Sequence, residues 1–153
     1  MTRRLWQALG AHPMVHEGTE GVHFALWAPN ARGVSVVGDF NGWDGHQHAM
    51  RSLGDSGIWE IFVPGIGAGT VYKYAILGHD GHWRDKADPM ARWTEVPPAT
   101  GSRVDDSRYA FGDQDWMEQR ARTDPHNGPM SIYEVHAGSW RPGLSYREMA
   151  EQL

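Results

Sequence analysis

Cysteine is missing from all 153 residues, which excludes a disulfide framework and thiolate-held metal and fits a reducing compartment. No apolar run approaches the roughly 20 residues of a membrane-spanning helix. The start, Met1-Thr2-Arg3-Arg4-Leu5-Trp6, lacks the apolar region of a signal peptide. Positive charge is scarce too, with 14 Lys and Arg against 19 Asp and Glu. The basic residues are scattered, so the footprint of a nucleic-acid binder is absent. Gly-x-Ser-x-Gly, the P-loop and the dinucleotide fingerprint do not occur. The chain is also too short for a complete (β/α)8 barrel, which takes roughly 250 residues. The expectation is a cytoplasmic protein with no nucleic-acid or membrane partner, no cofactor, no metal and no catalytic residues of its own.

Glycine and tryptophan, at 19 and 8, are abundant. So many glycines without low complexity imply tight turns between short strands. Eight tryptophans are too many for one core of this size, which leaves some at the surface.

Residues 1–20 have no strong period and read as an entry segment, with Leu5, Trp6 and Leu9 on one helical turn that Gly10 stops. From Gly21 the residues alternate, Val22, Phe24, Leu26 and Ala28 on one face, up to the turn at Pro29-Asn30. Val34 to Gly38, Ile58 to Val63 and Thr70 to Leu77 read as further strands. In the last of these Tyr72, Tyr74 and Ile76 share a face and Lys73 points the other way. Asp80-Gly81 marks a hairpin whose return begins at His82-Trp83-Arg84. Asp85 to Pro98 is extended and irregular, and short strands near Ser102–Val104 and Tyr109–Phe111 complete an antiparallel β-sandwich over 21–112. Residues 113–129, polar and interrupted by Asp124-Pro125 and Gly128-Pro129, read as a linker. Met130 to His136 reads as one more strand, and Ser145 with Glu148 as a capping box opening a helix. Strand, loop and helix make half a βαβ unit, so 130–153 looks truncated.

His46 and His48 have the spacing of two ligands on a strand face, but a zinc site needs more donors, and Asp44 serves equally well as a turn former. Asp105-Asp106 and Asp113 with Asp115 sit in polar, turn-like surroundings and read as solvated charges. Trp43, Lys73 and Trp83 are more distinctive. Trp43 lies on a glycine-flanked loop, Trp83 follows a hairpin turn, and Lys73 opposes the two tyrosines. Rings with a polar rim suit neutral sugars, the ring packing on C–H groups while Lys, Asn or Asp bonds hydroxyls. The alternative stays open that Trp43 covers the core's end and Trp83 packs on a strand edge.

Leu9-Gly10-Ala11-His12-Pro13, Trp27-Ala28-Pro29-Asn30-Ala31 and Val34 to Asp44, the last containing Gly38-Asp39-Phe40-Asn41-Gly42-Trp43, closely resemble the N-terminal part of bacterial glycogen branching enzymes. So do Ser56 to Glu60, Tyr72-Lys73-Tyr74, Lys86-Ala87-Asp88-Pro89 and Ser131 to Trp140. The resemblance implies an immunoglobulin-like β-sandwich, the glycogen-binding-type carbohydrate module shared with isoamylases and the β subunit of AMP-activated kinase. It is followed by the linker and the first strand and partial helix of a truncated catalytic barrel. The implied partners are α-glucan (glycogen or a maltooligosaccharide) and that barrel, whose catalytic carboxylates fall beyond residue 153. The parent reaction moves an α-1,4-glucan piece to a 6-hydroxyl through a covalent glycosyl intermediate. In the kinase-type modules sugar is met by a Trp after the Phe-Asn turn, a Lys, a Trp after an Asp-Gly hairpin and a later Asn. Trp43, Lys73 and Trp83 match the first three, and the fourth has no counterpart in sequence. The face could equally be vestigial, the sandwich serving to pack on the barrel. A stand-alone glycogen-binding protein and the module of a debranching hydrolase or trehalohydrolase are the alternatives.

Overall fold

The computed structural model describes residues 4–153, and the chain divides after Arg108 into two compact units. The first is built from strands β1 (Gly10–His16), β2 (Thr19–Trp27), β3 (Gly33–Gly38), β4 (Arg51–Ser52), β5 (Ile58–Pro64), β6 (Val71–Leu77), β7 (Trp83–Lys86), β8 (Trp93–Thr94) and β9 (Ser102–Arg103). One sheet runs β1-β2-β5-β4. The other runs β3-β6-β9-β8, with β7 also on β6. The pairings within both sheets are antiparallel. This is the expected sandwich.

Alternation in the strands builds the core. Val22, Phe24 and Leu26 of β2 and Val63 of β5 meet Val34 and Val36 of β3 and Tyr72 and Tyr74 of β6, with Met50 and Val104 at the margins. Removing such side chains from water supplies the main driving force for folding. The Phe24 and Tyr72 rings meet edge to face at 4.9 Å, and Tyr72 meets Tyr74 at 5.7 Å.

Two tyrosine hydroxyls inside this core need an acceptor. Buried Asp88 supplies it: Tyr72 donates to its Oδ2 at 2.6 Å and Tyr74 to the same oxygen at 3.4 Å. Met90 N–H donates to Asp88 Oδ1 at 2.7 Å, and the Asp88 N–H donates to Ser102 Oγ at 2.9 Å. The irregular stretch after β7 is thereby tied to the end of the core.

The structure corrects the sequence reading in four places. The segment read as an entry, whose first three residues lie outside the described ones, contains β1, which pairs with β2 from Gly10↔Ala25 to His16↔Thr19. β1 lies at the edge of its sheet, where Pro13 is tolerated. Glu17 and Gly18, both at positive φ (48° and 80°), close its hairpin. Residues 109–111 form no strand. The expected linker carries helix α1 (Gln114–Arg122), with α2 (Ala137–Trp140) and α3 (Tyr146–Ala150) further on. Met130 to His136 is not a strand, because a ladder needs a neighbour and among the described residues none pairs with it. The Ser145–Glu148 capping box does form: Ser145 N–H donates to Glu148 Oε2 at 2.8 Å, and Glu148 N–H to Ser145 Oγ at 3.4 Å.

Tyr72→Phe is expected to lower sandwich stability in urea by about 1–3 kcal/mol, and Tyr74→Phe, with the longer bond, by less. Burial, then the Asp88 charge, holds both phenols well above their ordinary value of 10.0. They stay neutral in the fold while the unfolded chain ionises. Stability is therefore insensitive to them below pH 10 and falls as pH rises beyond it, a loss that a urea series across pH 8–11 measures and that the Tyr72→Phe, Tyr74→Phe pair reduces.

Candidate carbohydrate-binding face

Because Tyr72 and Tyr74 point inward, Lys73, Ala75 and Leu77 face outward on β6. Register places Val37, Ser35 and Gly33 of β3 beside them, and Asp85 and Trp83 of β7 beside Ala75 and Leu77. Lys73 and Trp83 therefore share the outer face of the second sheet. Four residues of β6, about 13 Å, separate Lys73 from the Leu77 that Trp83 opposes.

Trp43 joins them through the corner after β3. There Asp39–Asn41 make one 3-10 turn, and Gly42 (φ 62°) ends it. Buried Asn41 organises the corner: its Oδ1 accepts the Gly38 N–H at 3.0 Å, and its Nδ2 donates to the Val36 carbonyl at 3.0 Å and to His48 Nδ1 at 2.9 Å. Asn41 thus shapes the turn, as does Phe40, whose ring lies edge to face with His48 at 5.3 Å.

Trp43 itself adopts φ 62°, a strained value for a residue of this size. Two bonds hold it: its N–H donates to the Gly38 carbonyl at 2.9 Å, and its indole Nε1 to Asp39 Oδ1 at 2.8 Å. Gly38 neighbours Val37, the register partner of Lys73, so the corner that carries Trp43 starts beside the Lys73 end of the face. The residue remains 41% exposed. Beyond it the loop crosses the sheet at Gly45, where an added Cβ would lie 3.7 Å from Ala75 Cβ and 3.9 Å from Val37 Cγ1. Trp83 closes the far end. Its ring reaches across Leu77 to within 3.6 Å of a Cβ built at Gly33, and is 54% exposed.

Lys73 Nζ donates to Thr100 Oγ1 at 2.7 Å. Thr100 comes from the loop between β8 and β9 and adds a second polar group that sequence reasoning missed. Nothing in the local pattern of Val96 to Gly101 points to it, since only the pairing of β6 with β9 brings the loop to Lys73. The hairpin under Trp83 is pinned by Arg84, whose guanidinium donates to Asp80 Oδ2 at 2.5 Å. That bond holds the Asp80 carboxyl down at about 2, so the pair persists through neutral pH.

The other candidates disperse. His46 sits with Asp44, its Nδ1 2.8 Å from Oδ1, while His48 accepts from Asn41, so the two rings serve different partners. Among the described residues no three His, Cys, Asp or Glu gather to hold a metal. Among the described residues six tryptophans are exposed, Trp6, Trp27, Trp93 and Trp116 besides Trp43 and Trp83, so exposure alone does not single out a site. Nor does sheet position, because Trp93 stands opposite Arg103, which pairs with Val71, and so lies on the same outer face as Lys73 and Trp83. Among the described residues no helix is long and apolar enough to cross a membrane.

Two antiparallel sheets of short strands packed around one core make a small all-β sandwich module. Residues 8–91, over half of the chain, match carbohydrate-binding module 48 (isoamylase N-terminal domain), and the chain belongs to that family. It is 60% identical over 150 residues to the 1,4-alpha-glucan branching enzyme GlgB 1 of Streptomyces coelicolor, covering 98% of this chain and 19% of that protein. It is likewise 60% identical over 154 residues to GlgB of Rhodococcus jostii, covering 98% and 21%. The chain thus spans about a fifth of the length of these curated relatives, as the counterpart of an N-terminal segment. Among solved structures, a putative alpha amylase from Salmonella typhimurium matches at TM-score 0.52 and 25% identity over 71% of this chain and 17% of its own. The maltotriose complex of PulA from Klebsiella pneumoniae matches at 0.53 and 26%, over 65% and 11%.

Two glycine substitutions separate the corner from the loop. A Cβ at Gly38 would lie 2.3 Å from the Val71 carbonyl oxygen and 2.5 Å from Phe40 Cε1, whereas Gly45 has ordinary contacts. Gly38→Ala is expected to cost about 1–3 kcal/mol in thermal or urea unfolding. Gly45→Ala should stay within about 0.5 kcal/mol.

Proposed function

We propose that this chain is the α-glucan-binding front segment of a glycogen branching enzyme, its immunoglobulin-like sandwich holding glucan through Trp43, Lys73 and Trp83. What supports the reading is the register that sets Lys73 and Trp83 on one outer face, with the Trp43 corner leaving β3 at its end, in a chain whose near-complete length matches branching enzymes. The Trp43 and Trp83 rings offer apolar surfaces to sugar C–H groups, and the Lys73 ammonium and Thr100 hydroxyl serve ring hydroxyls. Thr100 takes the part that the resemblance gives to an asparagine. The maltotriose complex among the solved neighbours supports the same ligand class.

In the parent reaction the module positions glucan for a catalytic domain that makes α-1,6 branches. Residues 130–153 lead into that domain, and Met130 to His136 pairs as a strand only when neighbouring strands are supplied. The setting is cytoplasmic glycogen synthesis. Alone, the segment binds without catalysing.

In native gels containing glycogen, Trp43→Ala and Trp83→Ala should each reduce retardation, equivalent to a roughly threefold to tenfold loss of affinity. Unchanged migration of both variants would contradict the site. The 153-residue chain should leave the iodine–glucan spectrum unaltered, and a clear branching-type shift would contradict the placement of the chemistry elsewhere.

A further inference from the structure

The opposite side of the sandwich carries an open groove of about 700 Å³ on the outer face of the first sheet. Met14 and His16 of β1, His23 of β2, Arg51 of β4 and Glu60 and Phe62 of β5 line it. The solvated face of an antiparallel sheet is ordinarily polar, whereas this one gathers a phenyl ring, a thioether and two imidazoles around one carboxylate. We infer that this groove is a second α-glucan site, in which Phe62 is the stacking platform and Glu60 with Arg51 takes the sugar hydroxyls. The inference rests on the reading that the module's ligand is α-glucan, and adds a site on its other face.

The platform is built by its neighbours. Phe62 stands opposite His23, and its ring extends diagonally over Gly21: a Cβ there would lie 2.6 Å from Phe62 Cζ. The Val63 carbonyl oxygen would lie closer still, at 2.4 Å, so only glycine fits at 21, and over it the ring covers β2 and reaches β1. There it meets His16 at 5.3 Å, the planes tilted by 53°. The result is an apolar surface two strands wide, edged by Met14.

The polar edge is equally fixed. Arg51 Nε donates to Glu60 Oε1 at 2.9 Å, and its terminal nitrogen also donates to that oxygen. His23 Nε2 lies 3.4 Å from Glu60 Oε2. The Arg51 bond holds Glu60 below its ordinary range, so it stays an acceptor. Its side chain is 18% exposed, while the guanidinium side chain is 75% exposed and keeps N–H groups for an incoming ligand. A carboxylate already paired with a guanidinium disfavours both an anion and a free cation. A neutral polyol, which needs an adjacent donor and acceptor beside an aromatic surface, fits both edges.

The test is a ¹⁵N NMR titration of the 153-residue chain with maltoheptaose. Two sets of backbone amides should shift, one around Trp43, Lys73 and Trp83 and one around His16, His23, Arg51 and Phe62. Phe62→Leu, which keeps an apolar residue in β5, should weaken the second set about tenfold and leave the first unchanged. If Phe62→Leu disperses poorly, Glu60→Gln is read instead with the same expectation. Shifts in the first set alone would overturn this inference and leave the proposed function standing. Shifts in the second set alone would do the reverse, silence in both would overturn both, and a second set indifferent to the folded variant would overturn the second site.

Discussion

The bond that the rest of the sandwich depends on joins Tyr72 and Tyr74 to the buried carboxylate of Asp88. β6 is the hub of its sheet, pairing with β3 along one edge and with β7 and β9 along the other. Two phenols within this strand belong in the core for their rings, but their hydroxyls need an acceptor there. Asp88 meets both from a segment outside the regular ladder, and its own backbone is held by Ser102 of β9. With the tyrosines committed inward, pleat alternation leaves Lys73 outward with no freedom to exchange faces. The outward placement of Lys73 is thus a consequence of how the core is built.

A second constraint shapes the corner at the end of β3 that carries Trp43. Gly38 must be glycine because the Val71 carbonyl and Phe40 occupy the space of a Cβ. Asn41 then satisfies the turn from inside, and the backbone emerges with Trp43 in a left-handed conformation held by its own indole on Asp39. A ring fixed in this way loses little conformational entropy on meeting any partner.

Much of this was legible in the residues. Period-2 alternation located β2 and set Tyr72 and Tyr74 of β6 on one face, apolar runs stopped by glycine and proline located β3 and β5, and Asp80-Gly81 marked the hairpin below Trp83. β1 escaped because Gly10-Ala11-His12-Pro13 has neither alternation nor β-branched residues, and its place is set by pairing with β2. The role of Asp88 escaped for a similar reason: in sequence it is one acid before a proline, and only the fold brings two phenols 14 and 16 residues away onto it. Thr100 is another long-range product. Met130 to His136 failed in the other direction, since strand-like composition does not make a strand without a partner to complete its hydrogen bonds.

The two outer faces make the module two-sided, with Trp43, Lys73 and Trp83 on one sheet and Phe62 with Glu60 and Arg51 on the other. The central claim concerns the first, and a crystal structure of the chain grown with maltoheptaose tests it most directly. The account predicts sugar stacked on the exposed Trp43 ring, with a hydroxyl bonded to Lys73 Nζ and the chain continuing toward Trp83. Well-ordered sugar elsewhere on the sandwich, with Trp43 and Lys73 untouched, would contradict it.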